Sequence, residues 1–145
     1  NKAVYRTRMA IADGGELLVL APGVERFGED AACDRMIRKY GYKGRLETLA
    51  AFENLENRDL RENMGAAAHL IHGSSDGRFS ITYAVKKIGR KEIESVGFQS
   101  AAYDETAKRY DPQTLSYGVN ILPDGEEIYF IPNPALGLWI NREKF

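Results

Sequence analysis

The stretch that most restricts the fold runs from His69 to Tyr83, entered from the alanine-rich segment that begins at Gly65. Three alanines, Ala66 to Ala68, open a helical segment carrying His69 and His72, and this segment meets the polar turn Gly73-Ser74-Ser75-Asp76-Gly77. Arg78 to Val85 follows at once, alternating and rich in β formers. A helix handed to a strand through a glycine-bounded turn is the joint from which α/β layers are built.

The flanking sequence supplies the other layers. Lys2 to Ala12 predicts an amphipathic helix, ended by Asp13-Gly14-Gly15. The apolar run Glu16 to Ala21 predicts a strand buried on both faces of a parallel sheet. Pro22-Gly23 breaks it and makes Val24 to Gly28, with Glu25 and Arg26, a candidate ligand loop at a strand's carboxyl end. Glu29 to Tyr40 predicts a helix with Ala32, Cys33, Met36, Ile37 and Tyr40 on one face, acidic at its start and basic at its end.

Leu46 to Leu55 predicts a second helix, with Leu46, Leu49, Ala50 and Phe52 apolar. Asn57 is placed to cap a third over 58–71, burying Leu60, Met64, Ala67, Ala68 and Ile71. Three helices between two strands exceed a simple crossover and imply a helical cluster on one face. Short elements follow: a helix at 90–96, a strand at 98–102, a helix at 104–110 capped by Asp104, and strands at 117–122 and 126–131 around Pro123-Asp124-Gly125. An apolar segment, Pro134 to Trp139, lies near the end. The pattern predicts an α/β fold: a three-layer, Rossmann-like domain with a mostly parallel sheet and a helical cluster between its first two strands. No repeat or linker divides residues 1–145.

Charge excludes some partners. A net charge of −1 gives no field for a polyanion, so neither nucleic acid nor an anionic membrane is an expected partner. No apolar run approaches the ~20 residues of a membrane span. The single cysteine, Cys33, forms no internal disulfide and fits a reducing cytoplasm. The opening Asn1-Lys2-Ala3-Val4-Tyr5-Arg6 reads as helix interior, so the chain is expected to be a piece of a longer protein.

Few residues carry a chemical signature. His69 and His72, three apart, share a helix face as paired metal ligands do, but soft ligands are otherwise limited to Cys33, which favours packing and helix-end capping. The 73–77 turn is rich in hydroxyls and backbone donors and reads equally as an anion-binding nest or as a connecting turn closed by its own Ser and Asp side chains. It lacks the phosphate-loop pattern and enters a strand instead of opening a helix. Cys33 lies on an apolar helix face and reads as an inert core residue. Lys2, Arg6 and Arg8 form a basic face, in which Arg6 offers a fork suited to a carboxylate or phosphate.

Four stretches, Ala-Asp-Gly-Gly-Glu-Leu (12–17), Val-Leu-Ala-Pro-Gly-Val (19–24), Ala-Ala-His-Leu-Ile-His-Gly-Ser-Ser-Asp-Gly-Arg-Phe (67–79) and Pro-Asn-Pro-Ala-Leu-Gly-Leu-Trp (132–139), together resemble the C-terminal half of the nickel-dependent lactate racemase-like family. The resemblance is strongest to its uncharacterised branch, some members of which carry a D-mannonate oxidoreductase label. It implies a two-domain α/β enzyme. Its N-terminal catalytic domain, the expected partner within the same chain, would hold a nickel-pincer nucleotide and supply the catalytic histidines. This fragment would bind no cofactor alone and would not be active alone.

The family's substrate-holding Tyr-Gln-x-x-Lys pattern is met here by Tyr5-Arg6-Thr7-Arg8-Met9, in which Arg6 replaces Gln and Met9 replaces Lys. That departure implies an anionic hydroxy acid other than lactate, such as a sugar acid, bound by Arg6 or Arg8. The implied substrate-binding set is Tyr5, Arg6, Arg8, His72, Ser74, Ser75 and Arg78, with no catalytic residue in the fragment. The implied function is a substrate-closing domain of a racemase or epimerase of 2-hydroxy acids. The alternatives are a domain of a sugar-acid oxidoreductase, or a non-catalytic association module that docks through Pro134 to Trp139.

Overall fold

The structure, a computed structural model, describes residues 1–144. Helix α1 (Lys2–Thr7) leads to strand β1 (Glu16–Leu20). Four helices follow, α2 (Ala31–Tyr40), α3 (Arg45–Glu53), α4 (Arg58–Arg61) and α5 (Met64–His72), before strand β2 (Ser80–Val85). Helix α6 (Arg90–Ser95) carries the chain to β3 (Gln99–Ala102), and α7 (Tyr103–Arg109) follows directly. The strands pair in parallel in the order β1-β2-β3, with Leu18 opposite Thr82 and Thr82 opposite Gln99.

Alternation along β2 gives it two faces. Phe79 and Ile81 join Ile37 of α2, Leu70 of α5 and Ile93 of α6 in one buried cluster. Helix α7 touches all three strands and adds no residue to that cluster, so it forms the third layer. On its side the buried Thr82 hydroxyl sits 2.6 Å from Glu16 Oε1 and 3.2 Å from Gln99 Oε1, bridging the three strands. This is the three-layer, Rossmann-like α/β architecture that the sequence predicts, with the helical cluster between β1 and β2.

Several boundaries differ from expectation, each for a physical reason. Helix α1 stops at Thr7, and Met9 leaves the helical path for an isolated parallel bridge with Ile140, where its carbonyl accepts the Asn141 N–H at 3.2 Å. Strand β1 is not buried on both faces: β2 is its one sheet partner, and Leu17 to Leu20 are half-buried. The helix expected over 58–71 is two helices. Asn57 does not cap; its amide donates to the Ala51 carbonyl at 2.9 Å. Asn63 caps instead, accepting the Ala66 N–H at 2.9 Å, and so restarts the helix. Met64 is then on the surface, and Leu60, Ala66, Ala67 and Leu70 form the buried side.

Helix α3 docks through Thr48, Ala51 and Phe52, which leaves Leu46 and Leu49 outside at 75% and 42% exposure. Asp104 does not cap α7; Ala102 holds that position, and Asp104 pairs with Lys86 at 2.9 Å. Strands β4 (Gly118–Ile121) and β5 (Glu127–Phe130) form an antiparallel hairpin separate from the parallel sheet. Two 3-10 turns, Pro134–Leu136 and Arg142–Lys144, complete the described chain. No helix among the described residues is long and apolar enough to cross a membrane.

Candidate functional site

The seven nominated side chains lie where the strands begin, on α1, at the end of α5 and in the turn entering β2. Tyr5 and His72 face each other with ring centroids 6.3 Å apart. Arg6 Nε donates to the Tyr5 hydroxyl at 3.1 Å, and Arg6 Nη1 reaches the Gly137 carbonyl at 3.4 Å. These three form an open polar edge, with His72 exposed and the other two half-buried.

The remaining four hold the fold. Arg8 pairs with Asp76 at 2.5 Å. Arg78 bonds Asp13 at 2.7 Å and the carbonyls of Arg8 and Ile11 at 3.1 and 2.9 Å, which clamps the α1–β1 connection to the head of β2. Ser74 is buried, and its hydroxyl accepts the Asp76 N–H at 3.1 Å. Ser75 lends its carbonyl to the Arg78 N–H at 3.1 Å. Asp76 and Gly77, between them, have φ of +53° and +74°, as a type I′ turn requires. The turn reading therefore prevails over the anion nest, since the N–H groups of Gly73 and Ser74 bond carbonyls at the end of α5 and that of Asp76 bonds the Ser74 hydroxyl.

Sequence reasoning did not single out Asp76. One of its oxygens takes Arg8, and the other accepts the Arg45 N–H at 2.7 Å, closing the start of α3. The visible signal was the Asp-Gly pair, a strong marker of this turn type.

His69 is engaged at the chain's first residue. The amide of Asn1 lies 3.1 Å from His69 Nδ1, and partial burial lowers the His69 pKa, which favours the neutral ring. Among the described residues no three His, Cys, Asp or Glu side chains converge to hold a metal ion. Cys33 is buried, which pushes its thiol pKa up and makes it a core residue. Among the described residues the donors therefore do not fit a nickel centre.

The opposite edge of the sheet is where open α/β folds usually seat ligands. There the Val24–Gly28 loop enters α2. The Phe27 N–H donates to Asp34 Oδ1 and the Cys33 N–H to Asp30 Oδ1, both at 2.7 Å. The donors that would cradle a pyrophosphate at this helix start are met by carboxylates of the chain itself. Nearby Glu25 adds negative charge, held by Lys87 at 3.1 Å, and this bond lowers its pKa.

Two small cavities open into the helical side. One of about 100 Å³ lies beside Ser74, Ser75, Ser80 and Gln99. The other, of about 130 Å³, lies between Arg26, Tyr83 and His69. Sites that enclose a small molecule occupy several hundred Å³. Neither cavity is lined by Tyr5, Arg6 or His72, so that edge lies outside both.

No family model matches the chain, and no curated protein matches it. A crystal structure of a Thermotoga maritima protein, a structural-genomics target, is similar over 92% of this chain, with a TM-score of 0.61 and 18% identity. This chain spans 31% of that one. The likeness shows the fold and extends no further.

Proposed function

We propose that this chain is the substrate-closing domain of a nickel-pincer-type racemase or epimerase acting on a 2-hydroxy acid. In this reading the nucleotide and the catalytic histidines belong to an N-terminal domain of the same polypeptide. The reading rests on the resemblance of four sequence stretches and on one structural observation. Tyr5, Arg6 and His72 make a polar edge that is open to the side, as a lid has before it meets its floor. Arg8 and Arg78 pair with carboxylates of the chain, whereas Arg6 bonds the neutral Tyr5 hydroxyl and Gly137 carbonyl and keeps its charge for a carboxylate. A buried, unpaired Cys33 suits a reducing compartment, the cytoplasm.

The nicotinamide-dependent oxidoreductase reading is weaker on a specific ground. The β1–α2 turn, where such a domain holds pyrophosphate, is closed by Asp30 and Asp34.

The test uses the full-length parent protein with its cofactor bound. It is incubated with 2-hydroxy acids and sugar acids, and exchange and configuration at C2 are followed. The expected result is epimerisation without net redox change. Arg6→Ala is expected to raise KM by about tenfold, the loss of one charge-assisted contact. Silence across the panel, or wild-type kinetics for Arg6→Ala, would overturn the reading. A net change in nicotinamide absorbance would favour the oxidoreductase.

A further inference from the structure

The segment from Gly137 to Asn141 lies along the end of α1. The backbone N–H of Trp139 donates to the Arg6 carbonyl at 2.9 Å, Ile140 pairs with Met9 in the parallel bridge, and the Asn141 N–H reaches the Met9 carbonyl at 3.2 Å. One segment therefore holds Arg6 twice: through its carbonyl, and through its side chain, whose Nη1 donates to the Gly137 carbonyl at 3.4 Å. The Tyr5 hydroxyl fixes Nε and the Gly137 carbonyl fixes Nη1, so two bonds define the plane of the fork.

Gly137 is extended, with φ −149°, a conformation open to any residue, so glycine answers a need for space here. A Cβ built on it falls 2.7, 2.9 and 3.1 Å from three carbons of the Trp139 indole. The indole thus packs directly on the Gly137 backbone. Its rotation is fixed in turn, because the indole N–H donates to the Tyr117 hydroxyl at 3.1 Å, and Tyr117 meets Tyr129 of β5 edge-on with centroids 6.0 Å apart. A line of contacts runs from Tyr117 through Trp139 and Gly137 to the Arg6 guanidinium.

An arginine side chain loses much rotamer freedom on binding, so a fork that is already oriented holds a carboxylate more tightly than a free one. We propose that Trp139 is a positioning residue for Arg6: held by Tyr117 and packed on Gly137, it sets the carbonyl that aims the guanidinium along the open edge. The inference rests on the role proposed above for Arg6. It adds that the affinity of the edge for a carboxylate is set by a segment 131 positions away.

The test uses the full-length parent protein and two variants, Tyr117→Phe and Gly137→Ala. Tyr117 is 62% exposed, so removing its hydroxyl leaves the fold intact, and this variant decides where Gly137→Ala fails to fold. Modification of Arg6 by phenylglyoxal, read by peptide mass spectrometry, follows the guanidinium without substrate or turnover, with exposed Arg90 as the reference. Both variants are expected to speed modification of Arg6 about fivefold, the scale of one released hydrogen bond, and to leave Arg90 unchanged. A wild-type rate at Arg6 in Tyr117→Phe would overturn the inference. With a hydroxy acid that turns over, the same variants are expected to raise KM about threefold at unchanged kcat, and to add nothing in an Arg6→Ala background. A rise that persists in that background would give Trp139 a structural role alone and overturn the inference too. Silence across the acid panel counts against the proposed function, and the modification rates then decide this inference by themselves.

Discussion

Asp76 accepts the backbone N–H of Arg45 at 2.7 Å from a left-handed conformation, φ +53°. Its second oxygen holds Arg8, so one side chain joins α1, the start of α3 and the turn into β2. Asp76→Ala loses the helix-start bond and places an alanine at positive φ, for an expected loss of about 2 kcal/mol. Asp76→Asn keeps an acceptor and tolerates the conformation, and is expected to lose about half as much. Urea unfolding compares the two; equal losses would mean that the carboxylate does not act as described.

Gly28 has φ +71°, and a Cβ built there falls 2.4 Å from Cys33 Sγ. Gly28→Ala is expected to destabilise by roughly 2–4 kcal/mol, combining overpacking with a strained backbone. Cys33→Ala in the same chain removes the sulfur and relieves the overpacking part. Additive losses in the double-mutant cycle would refute this contact.

Asn63→Ala removes the cap of α5 and is expected to lose about 1 kcal/mol, with Asn63→Ser close to wild type. Thermal unfolding of the pair is the check. An alanine variant as stable as the serine one would show that α5 does not depend on this bond.

Acid sensitivity has a defined origin at Asp59. The Lys39 ammonium at 2.6 Å and the Tyr40 hydroxyl at 2.7 Å hold its carboxyl pKa down at about 2. A carboxyl depressed in the fold stabilises it above the ordinary carboxylate range, and that contribution fades as pH falls toward 2. Carbon-detected NMR is expected to show Asp59 titrating near 2, and Asp59→Asn to flatten the acid limb of the stability curve. Titration at the ordinary value of about 3.9 would contradict the ion pair.

The order and type of the main elements were legible because their signals are local. The alternation from Phe79 to Val85 and the Ile37 face of α2 carry their own periods. What escaped depends on distant partners. Asn57 and Asn63 both precede helical sequence, and the Ala51 carbonyl decides that only the second caps. The run at β1 reads as doubly buried, yet its depth is set by how many strands flank it. The candidate site divides in the same way. Tyr5 and Arg6 are sequence neighbours on α1, whereas the approach of His72 to Tyr5 and the commitment of Arg8 and Arg78 to Asp76 and Asp13 are long-range facts.

The four helices between β1 and β2 also fix an order of assembly. Strands β2 and β3 are separated by α6 alone and close a short loop, whereas β1 must wait for a long one. Its pairing becomes favourable once α2 and α5 have buried Ile37 and Leu70 in the common cluster. Until then Glu16–Leu20, an apolar segment with one acidic residue, stands unpaired. A weakened insert, such as one carrying Asn63→Ala, lengthens that interval. The hazard it creates is self-association through β1 during synthesis, a cost in yield that the folded protein's stability does not reveal.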